Sequence, residues 1–313
     1  MIKKEFFYAS AAGGVPVHAV EWFPDSKPQA VLQIAHGIAE HILRYEALAA
    51  YLTDRGFAVA GNDHLGHGLS GPEIRLSFGS EGSWDRVTED METLRRRMKK
   101  KFPDTPQFLL GHSMGSFLAR TYLIRFPGVI DGCILTGTGQ PAAALIAAGR
   151  FIAMEECFRQ GADQPSYLLN ALAFGAYNAP FAPNRTTHDW LSVNEQNVDC
   201  FLASPLCGGI PTGGLIRELL RGLQFIGKPG NLKRMDLSTP VLFLSGEDDP
   251  VGEMGKGVRR VFRMFSRVGM RDLSVRLYEK ERHEILNESN REEVFRDLLL
   301  WMKARISNER QNI

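Results

Sequence analysis

Gly111-His112-Ser113-Met114-Gly115 sets one hydroxyl between two glycines where two local patterns meet. Phe108-Leu109-Leu110 before it reads as a buried strand, and Ser116 to Leu123 after it has helical spacing. A strand–turn–helix with Gly-x-Ser-x-Gly in the turn lifts a serine hydroxyl above a sheet edge, and Gly111 and Gly115 leave room for the sharp turn. A serine hydroxyl is a weak nucleophile unless a neighbouring base takes its proton and a third group orients that base. On an α/β sheet these partners follow the serine in the order acid, then histidine. His18, His36, His41, His64, His67 and His112 precede or adjoin Ser113, which leaves His188 and His283. His188 comes before any later strand that could supply the acid, so His283 is the candidate base.

The acid must leave the strand that precedes His283, and Gly246-Glu247-Asp248-Asp249-Pro250 is the loop that does so. Spacing alone leaves Glu247, Asp248 and Asp249 open. The oxyanion of an acyl-transfer intermediate needs two backbone N–H donors. Met114, directly after the nucleophile, is one candidate, and Ile38 in His36-Gly37-Ile38-Ala39-Glu40-His41 is the other. His36, Gly37, Glu40, Gly111, His112 and Gly115 are then the residues expected to support the two loops.

Something must hold these loops at one edge. Up to about residue 137, short apolar runs (Ala30–Ala35, Phe57–Ala60, Gln107–Leu110, Cys133–Thr136) alternate with helical patterns at Tyr45–Arg55 and Trp84–Lys101. A first strand is expected around Phe6. Such alternation predicts an α/β fold, a mainly parallel sheet with helices on both faces. From 138 to 236 the rhythm stops, and apolar helices at Ala142–Phe158, Tyr167–Tyr177 and Leu215–Phe225 are separated by Pro, Gly and Asn clusters. It resumes with Pro240–Ser245, Leu273–Tyr278 and a last helix over Asn290–Arg305. The expected organisation is one core, 1–137 with 237–313, interrupted by a helical insertion over 138–236.

Composition removes other classes. The 313 residues carry 37 Lys and Arg against 36 Asp and Glu, a net charge of +1, which argues against nucleic acid as a partner. With 44% hydrophobic and 23% charged residues the chain is ordinarily globular, and no apolar run reaches the roughly 18–20 residues of a membrane span. The run Phe6–Ala9 after Lys3-Lys4 is too short for an export signal. Cys133, Cys157, Cys200 and Cys207 form no CxxC pair, so free thiols and a cytoplasmic location are expected.

Three rival motifs give way to plainer readings. Gly137-x-Gly139-x-x-Ala142 has the spacing of a dinucleotide loop, but Glu155 and Glu156 beyond it sit in a helical pattern rather than at a strand end. Asp63, His64, His67, His36 and His41 match no metal signature, so no metal or organic cofactor is expected. Arg95 to Lys101 closes a helix that begins with Asp85, Glu89 and Asp90, which suits the helix dipole.

The chain resembles the monoacylglycerol lipase and lysophospholipase group of α/β-hydrolases, also classed with serine aminopeptidase-like hydrolases. The likeness rests on His36 to His41 with Arg44-Tyr45, on Asn62-Asp63-His64-Leu65-Gly66-His67-Gly68-Leu69-Ser70, on the serine turn, and on Asp189-Trp190-Leu191-Ser192 and Pro205-Leu206-Cys207-Gly208 in the insertion. Leu65 stands where many relatives carry Arg, and Ser204 where Asp often precedes Pro-Leu-Cys. The resemblance implies an α/β-hydrolase fold, Asp249 as the acid, and residues 138–236 as a cap touching membrane surfaces transiently. It also implies hydrolysis of an ester with a hydrophobic acyl group, a monoacylglycerol or lysophospholipid. A short-chain carboxylesterase, an iminopeptidase-type peptidase and a catalytically inactive binding protein are the alternatives.

Overall fold

A hairpin opens the chain: β1 (Ile2–Ala9) pairs antiparallel with β2 (Pro16–Phe23), Ile2 opposite Phe23. There follow β3 (Val31–Ala35), α1 (Glu46–Thr53), β4 (Ala58–Asn62), α2 (Ser83–Lys101), β5 (Gln107–His112), α3 (Met114–Arg125) and β6 (Gly132–Thr136). Next come α4 (Ala143–Gln160), α5 (Tyr167–Phe174), α6 (Glu195–Ala203), α7 (Gly213–Ile226) and α8 (Pro229–Leu232). The chain closes with β7 (Val241–Gly246), α9 (Lys256–Arg267), β8 (Leu273–Tyr278) and α10 (Arg291–Glu309). This computed structural model describes residues 1–71 and 74–309, so 72–73 and 310–313 of the expected core segments lie outside the described residues.

The eight strands form one sheet in the order β1-β2-β4-β3-β5-β6-β7-β8. β2 is antiparallel to both its neighbours, and every pair from β4 to β8 is parallel. β3, β5, β6 and β7 are buried along their whole length. Helices cover both faces there, so continuous apolar runs are the strand signal to expect.

Two layers bury the sheet. On one face Trp84 and Met91 of α2, Leu118 and Tyr122 of α3, Leu219 and Leu223 of α7 and Val261 and Phe265 of α9 share a core. On the other, Leu48 and Leu52 of α1 meet Phe295, Leu298 and Met302 of α10. Each such side chain contributes about 1.5–3 kcal/mol when buried. α7 lies in the segment between β6 and β7, yet it packs on α2 so closely that a Cβ on Gly222 would sit 2.2 Å from the Trp84 ring.

Register decides where chemistry can occur. Ala35 lies opposite Gly111, His112 opposite Thr136, Thr136 opposite Leu244 and Gly246 opposite Tyr278. The loops leaving β3, β5, β6, β7 and β8 therefore emerge along one edge of the sheet, at the carboxyl ends of parallel strands, where open α/β sheets bind ligands.

Several elements differ from the sequence expectation, α8 among them. β2 was not expected because His18 and Glu21 interrupt its apolar run; both are buried, His18 against Asp63 at 2.8 Å and Glu21 against Arg97 at 2.7 Å. α6 and α9 are also additional, and the expected Tyr45–Arg55 helix is a 3-10 turn at Ile42–Tyr45 followed by α1.

Candidate active site

β5 delivers Ser113 to the sheet edge in a backbone conformation most residues avoid, φ 53° and ψ −121°. Its N–H donates to the Thr136 carbonyl at 2.9 Å, and its own carbonyl accepts the Ser116 N–H and hydroxyl at 2.8 and 2.6 Å. The flanking glycines are required by contact: a Cβ on Gly115 would lie 2.0 Å from the Ala35 carbonyl oxygen, and one on Gly111 2.4 Å from that of Gly115. Met114 begins α3, so its N–H has no carbonyl within the helix to bond and stays available.

The loop after β7 brings Asp249 to His283. The His283 Nδ1–H donates to Asp249 Oδ1 at 3.0 Å, with Asp249 fully buried and His283 nearly so. Asp249 also accepts the Val251 N–H at 2.9 Å and the Ser245 hydroxyl at 3.4 Å, while Glu247 and Asp248 are exposed. Burial opposes the His283 cation, but the charge and hydrogen bond of Asp249 outweigh it and raise the imidazole pKa above its ordinary 6.5. His283 is held between the rings of His112 at 4.7 Å and Trp190 at 5.2 Å. His112, bonded to the Thr136 hydroxyl at 3.0 Å, is pushed down to about 4 by burial and by His283, so it stays neutral at pH 7.

Ser113 and His283 border one cavity of about 620 Å³, together with Ile38 and Glu40. Phe174, Trp190, Leu191 and Ile210 give this cavity a largely apolar roof, and all four come from the segment between β6 and β7.

The loop after β3 is set by one buried carboxylate. Glu40 accepts the Gly37 N–H at 2.5 Å, the Tyr45 hydroxyl at 2.8 Å and an Arg44 N–H at 2.9 Å. Burial alone would raise its pKa, but the charge of Arg44 above all, with the Gly37 N–H, holds it at about 2. Arg44 is bidentate to Glu284 at 2.6 and 2.7 Å, and Asn197 on α6 bonds both Arg44 and Glu284. This Glu40–Arg44–Glu284 bridge joins the Ile38 loop to the His283 loop. In the sequence Glu284 is one charge in the polar run Glu279–Glu284; its partner lies 240 residues away, and only folding reveals the pair.

A second set of contacts fastens residues 189–194 to the same His283 loop. Glu288 accepts the Ser192 hydroxyl at 2.6 Å and the N–H groups of Val193 and Asn194 at 3.0 and 3.2 Å. The Glu284 N–H donates to the Leu191 carbonyl at 2.7 Å, and Arg282 to that of Asp189 at 2.5 Å.

The rival motifs have structural roles. Gly137 has φ 57° and faces His283, with a Cβ there falling 2.7 Å from Cε1, and no helix opens before Ala143. His36, His64 and His67 stack at 4.2 and 5.4 Å, and burial takes His67 down to about 3. Among the described residues no group of three or more His, Cys, Asp or Glu is placed to hold a metal ion. Arg95 and Arg96 pair with Glu92, and Arg97 and Lys101 with Glu21.

Comparison with known proteins places the chain. It is 27% identical over 300 residues to a monoacylglycerol lipase of Mycolicibacterium smegmatis, covering 95% of this chain and 96% of that one. It is 27% identical over 299 residues to the human monoglyceride lipase, covering 91% and 86%. A thermostable carboxyl esterase from Bacillus coagulans, solved in complex with glycerol, superposes with a TM-score of 0.91 at 26% identity over 98% of this chain and 99% of that one. The fold is that of the α/β-hydrolases. The serine aminopeptidase (S33) family profile matches residues 26–290, and this chain belongs to that family.

Proposed function

We propose that this carboxylic ester hydrolase cleaves esters with a hydrophobic acyl group, monoacylglycerols or lysophospholipids, through an acyl-enzyme on Ser113. The observation that carries the reading is the buried Asp249–His283 hydrogen bond opening onto the same apolar-roofed cavity as the strained Ser113 turn.

In this mechanism Ser113 Oγ attacks the ester carbonyl as His283 takes its proton, and Asp249 stabilises the resulting imidazolium. The Ile38 and Met114 N–H groups hold the oxyanion. Collapse breaks the bond to the alcohol oxygen, which takes the proton from His283 and leaves. Water, deprotonated by His283, then attacks the acyl carbon, and the proton returns to Ser113 Oγ as the fatty acid departs. No step calls for a metal or organic cofactor.

Residues 138–236 act as a cap on a core made of 1–137 and 237–313. The outer faces of α4 and α5 leave Leu145, Phe151, Phe158, Tyr167 and Leu172 exposed, a surface suited to transient contact with a lipid bilayer. No helix among the described residues is long and apolar enough to cross a membrane. The four cysteines are free, in keeping with a reducing, cytoplasmic setting.

An aminopeptidase must neutralise the ammonium of its substrate. Glu40 and Glu284, the carboxylates bordering the cavity, are both paired with Arg44, so the ester reading is favoured. The test is kcat/KM across monoacylglycerols and p-nitrophenyl esters of increasing acyl length, with Ser113→Ala as control. Rising values with chain length support a lipid substrate. A maximum at the shortest chains assigns a short-chain esterase instead, and a Ser113→Ala variant that keeps most activity overturns the mechanism.

A further inference from the structure

Most polar side chains around the cavity have spent their hydrogen bonds on the protein. Glu40 and Glu284 are saturated by Arg44 and its neighbours. Asn178 donates to the Thr186 carbonyl and accepts the Trp190 N–H, Asn184 donates to the Asn178 carbonyl, and the Thr186 hydroxyl donates to Asp189. Asn170 on α5 makes no side-chain hydrogen bond to the described residues, and one nitrogen of His188 is free. Its Nδ1 pairs with the Thr187 hydroxyl at 2.8 Å and its ring packs on Phe201 at 5.4 Å, but its Nε2 makes no hydrogen bond to the described residues.

Its position is as informative as its free nitrogen. Phe201 carries His188 and, at 5.1 Å, the Arg44 guanidinium that grips Glu284. His188 therefore borders the cavity on the side of the His283 loop. That is the side on which His283 must deliver a proton to the departing alcohol, so the alcohol half of an ester lies there. Burial keeps the His188 pKa below its ordinary value despite the nearby charge of Glu284, which leaves the ring neutral at pH 7. A neutral imidazole whose Nδ1 partner is itself a hydroxyl can present Nε2 as donor or acceptor. A substrate hydroxyl satisfies either form.

We propose that His188, oriented by Thr187 and Phe201, is the contact that recognises a free hydroxyl on the alcohol half of the ester, selecting esters of glycerol-type polyols over esters of simple alcohols. This rests on the ester-hydrolase reading and adds to it a specificity residue in the segment between β6 and β7.

The test compares two esters of one acid, 1-decanoylglycerol and ethyl decanoate, through the ratio of their kcat/KM values. Both are measured on the same preparation, so the ratio is indifferent to the fraction of enzyme that is folded. His188→Phe keeps the aromatic contact with Phe201 and removes the nitrogen; the glyceryl-to-ethyl ratio is expected to fall about tenfold, the worth of one hydrogen bond in a shielded site. His188→Gln is expected to recover part of it. Thr187→Val, which frees the ring to turn, is expected to lower the ratio about threefold and carries the test alone if the His188 variants do not fold. A ratio unchanged in the variants, or near one in the parent enzyme, overturns the subsite while Ser113 still reacts with a fluorophosphonate. If the parent cleaves neither ester and Ser113 resists that probe, the ester-hydrolase reading falls and takes the subsite with it.

Discussion

The two walls of the cavity are built in opposite ways. The inner wall, from the sheet edge, is dense with paired charge: Asp249 with His283, Glu40 with Arg44, Arg44 with Glu284. The outer wall includes α5, and α5 with the preceding α4 buries only Ile146, Ala153, Cys157 and Leu169 and turns Phe158, 88% exposed, and its neighbours to solvent. Between them residues 189–197 belong by sequence to the outer segment but are fastened to the inner wall through Glu288, Glu284 and Arg282. The difference teaches where precision is required. In the proposed mechanism transition-state charge develops at the inner wall, and preorganised dipoles must already be in place there. The outer wall has only to shield the acyl chain of the proposed substrate, at about 0.8 kcal/mol per buried CH₂, and admit it.

If that division holds, the largest effects come from the inner wall and appear in kcat. Asp249→Asn should lower kcat by about 10³–10⁴-fold with little change in KM. It should also move the pH profile in a fixed direction. The base must be neutral to act, so activity fails as pH drops through the His283 pKa, which Asp249 holds above 6.5. Removing that charge leaves burial to dominate, and the acid limb of the residual activity should shift to lower pH. A limb that stays where it was would show that another group governs it.

The Glu40–Arg44–Glu284 bridge should register as stability as well as activity. Glu40 is held at about 2, against an ordinary 4.5, so its contribution is complete above pH 4.5 and is lost as pH falls from there toward 2. Glu40→Gln strips Arg44 of one carboxylate and should cost roughly 3–5 kcal/mol at pH 7. Its urea midpoint should then vary less between pH 5 and 3 than that of the parent, because the titrating group is gone. Equal slopes would mean that the acid sensitivity originates elsewhere.

Residues 189–197 sit between the walls and respond to both. Glu288→Ala unties Ser192, Val193 and Asn194 together, at a cost of about 1–3 kcal/mol, and loosens Trp190 against His283. A fall in kcat/KM of about tenfold, with faster proteolysis confined to this segment, is the expected result. Proteolysis spread over α4 and α5 instead would show that the outer wall depends on the same anchor.

What the sequence reveals of the site divides along the same line. The serine turn and the Ile38 loop stand out because each lies where a buried apolar strand ends, and an all-buried strand announces itself as a continuous apolar run, whereas His283 follows the half-buried β8 and is reached by chain order. The register then brings those strand ends to one edge. The choice of Asp249 over Asp248 and Glu247 rests on the family resemblance in the sequence; in the fold Asp249 is buried against His283, while Glu247 and Asp248 are exposed. β2 was hidden because its buried polar residues, His18 and Glu21, are satisfied by Asp63 and Arg97 from distant elements. Glu284 and Glu288 were hidden for the same reason, as acids whose meaning lies in partners about a hundred or more residues away. Helices of the outer segment were visible as apolar patterns, but a pattern does not say which apolar residues are covered.

The smallest effects should come from the outer wall, and they should depend on how the substrate is presented. Phe151 and Phe158 bond to nothing in the inner wall, and replacing both with Ser removes only apolar surface that faces outward. On a bilayer that surface can be buried, contributing about 1.5–3 kcal/mol per fully inserted side chain, though interfacial insertion is partial. The ratio of activity on a monoacylglycerol in vesicles to activity on a monomeric short-chain ester should therefore fall about three- to tenfold in the double variant. Co-sedimentation with the vesicles should weaken in step. Should both substrates lose activity equally, α4 would be holding the inner wall in shape, and the division between the walls would have to be redrawn.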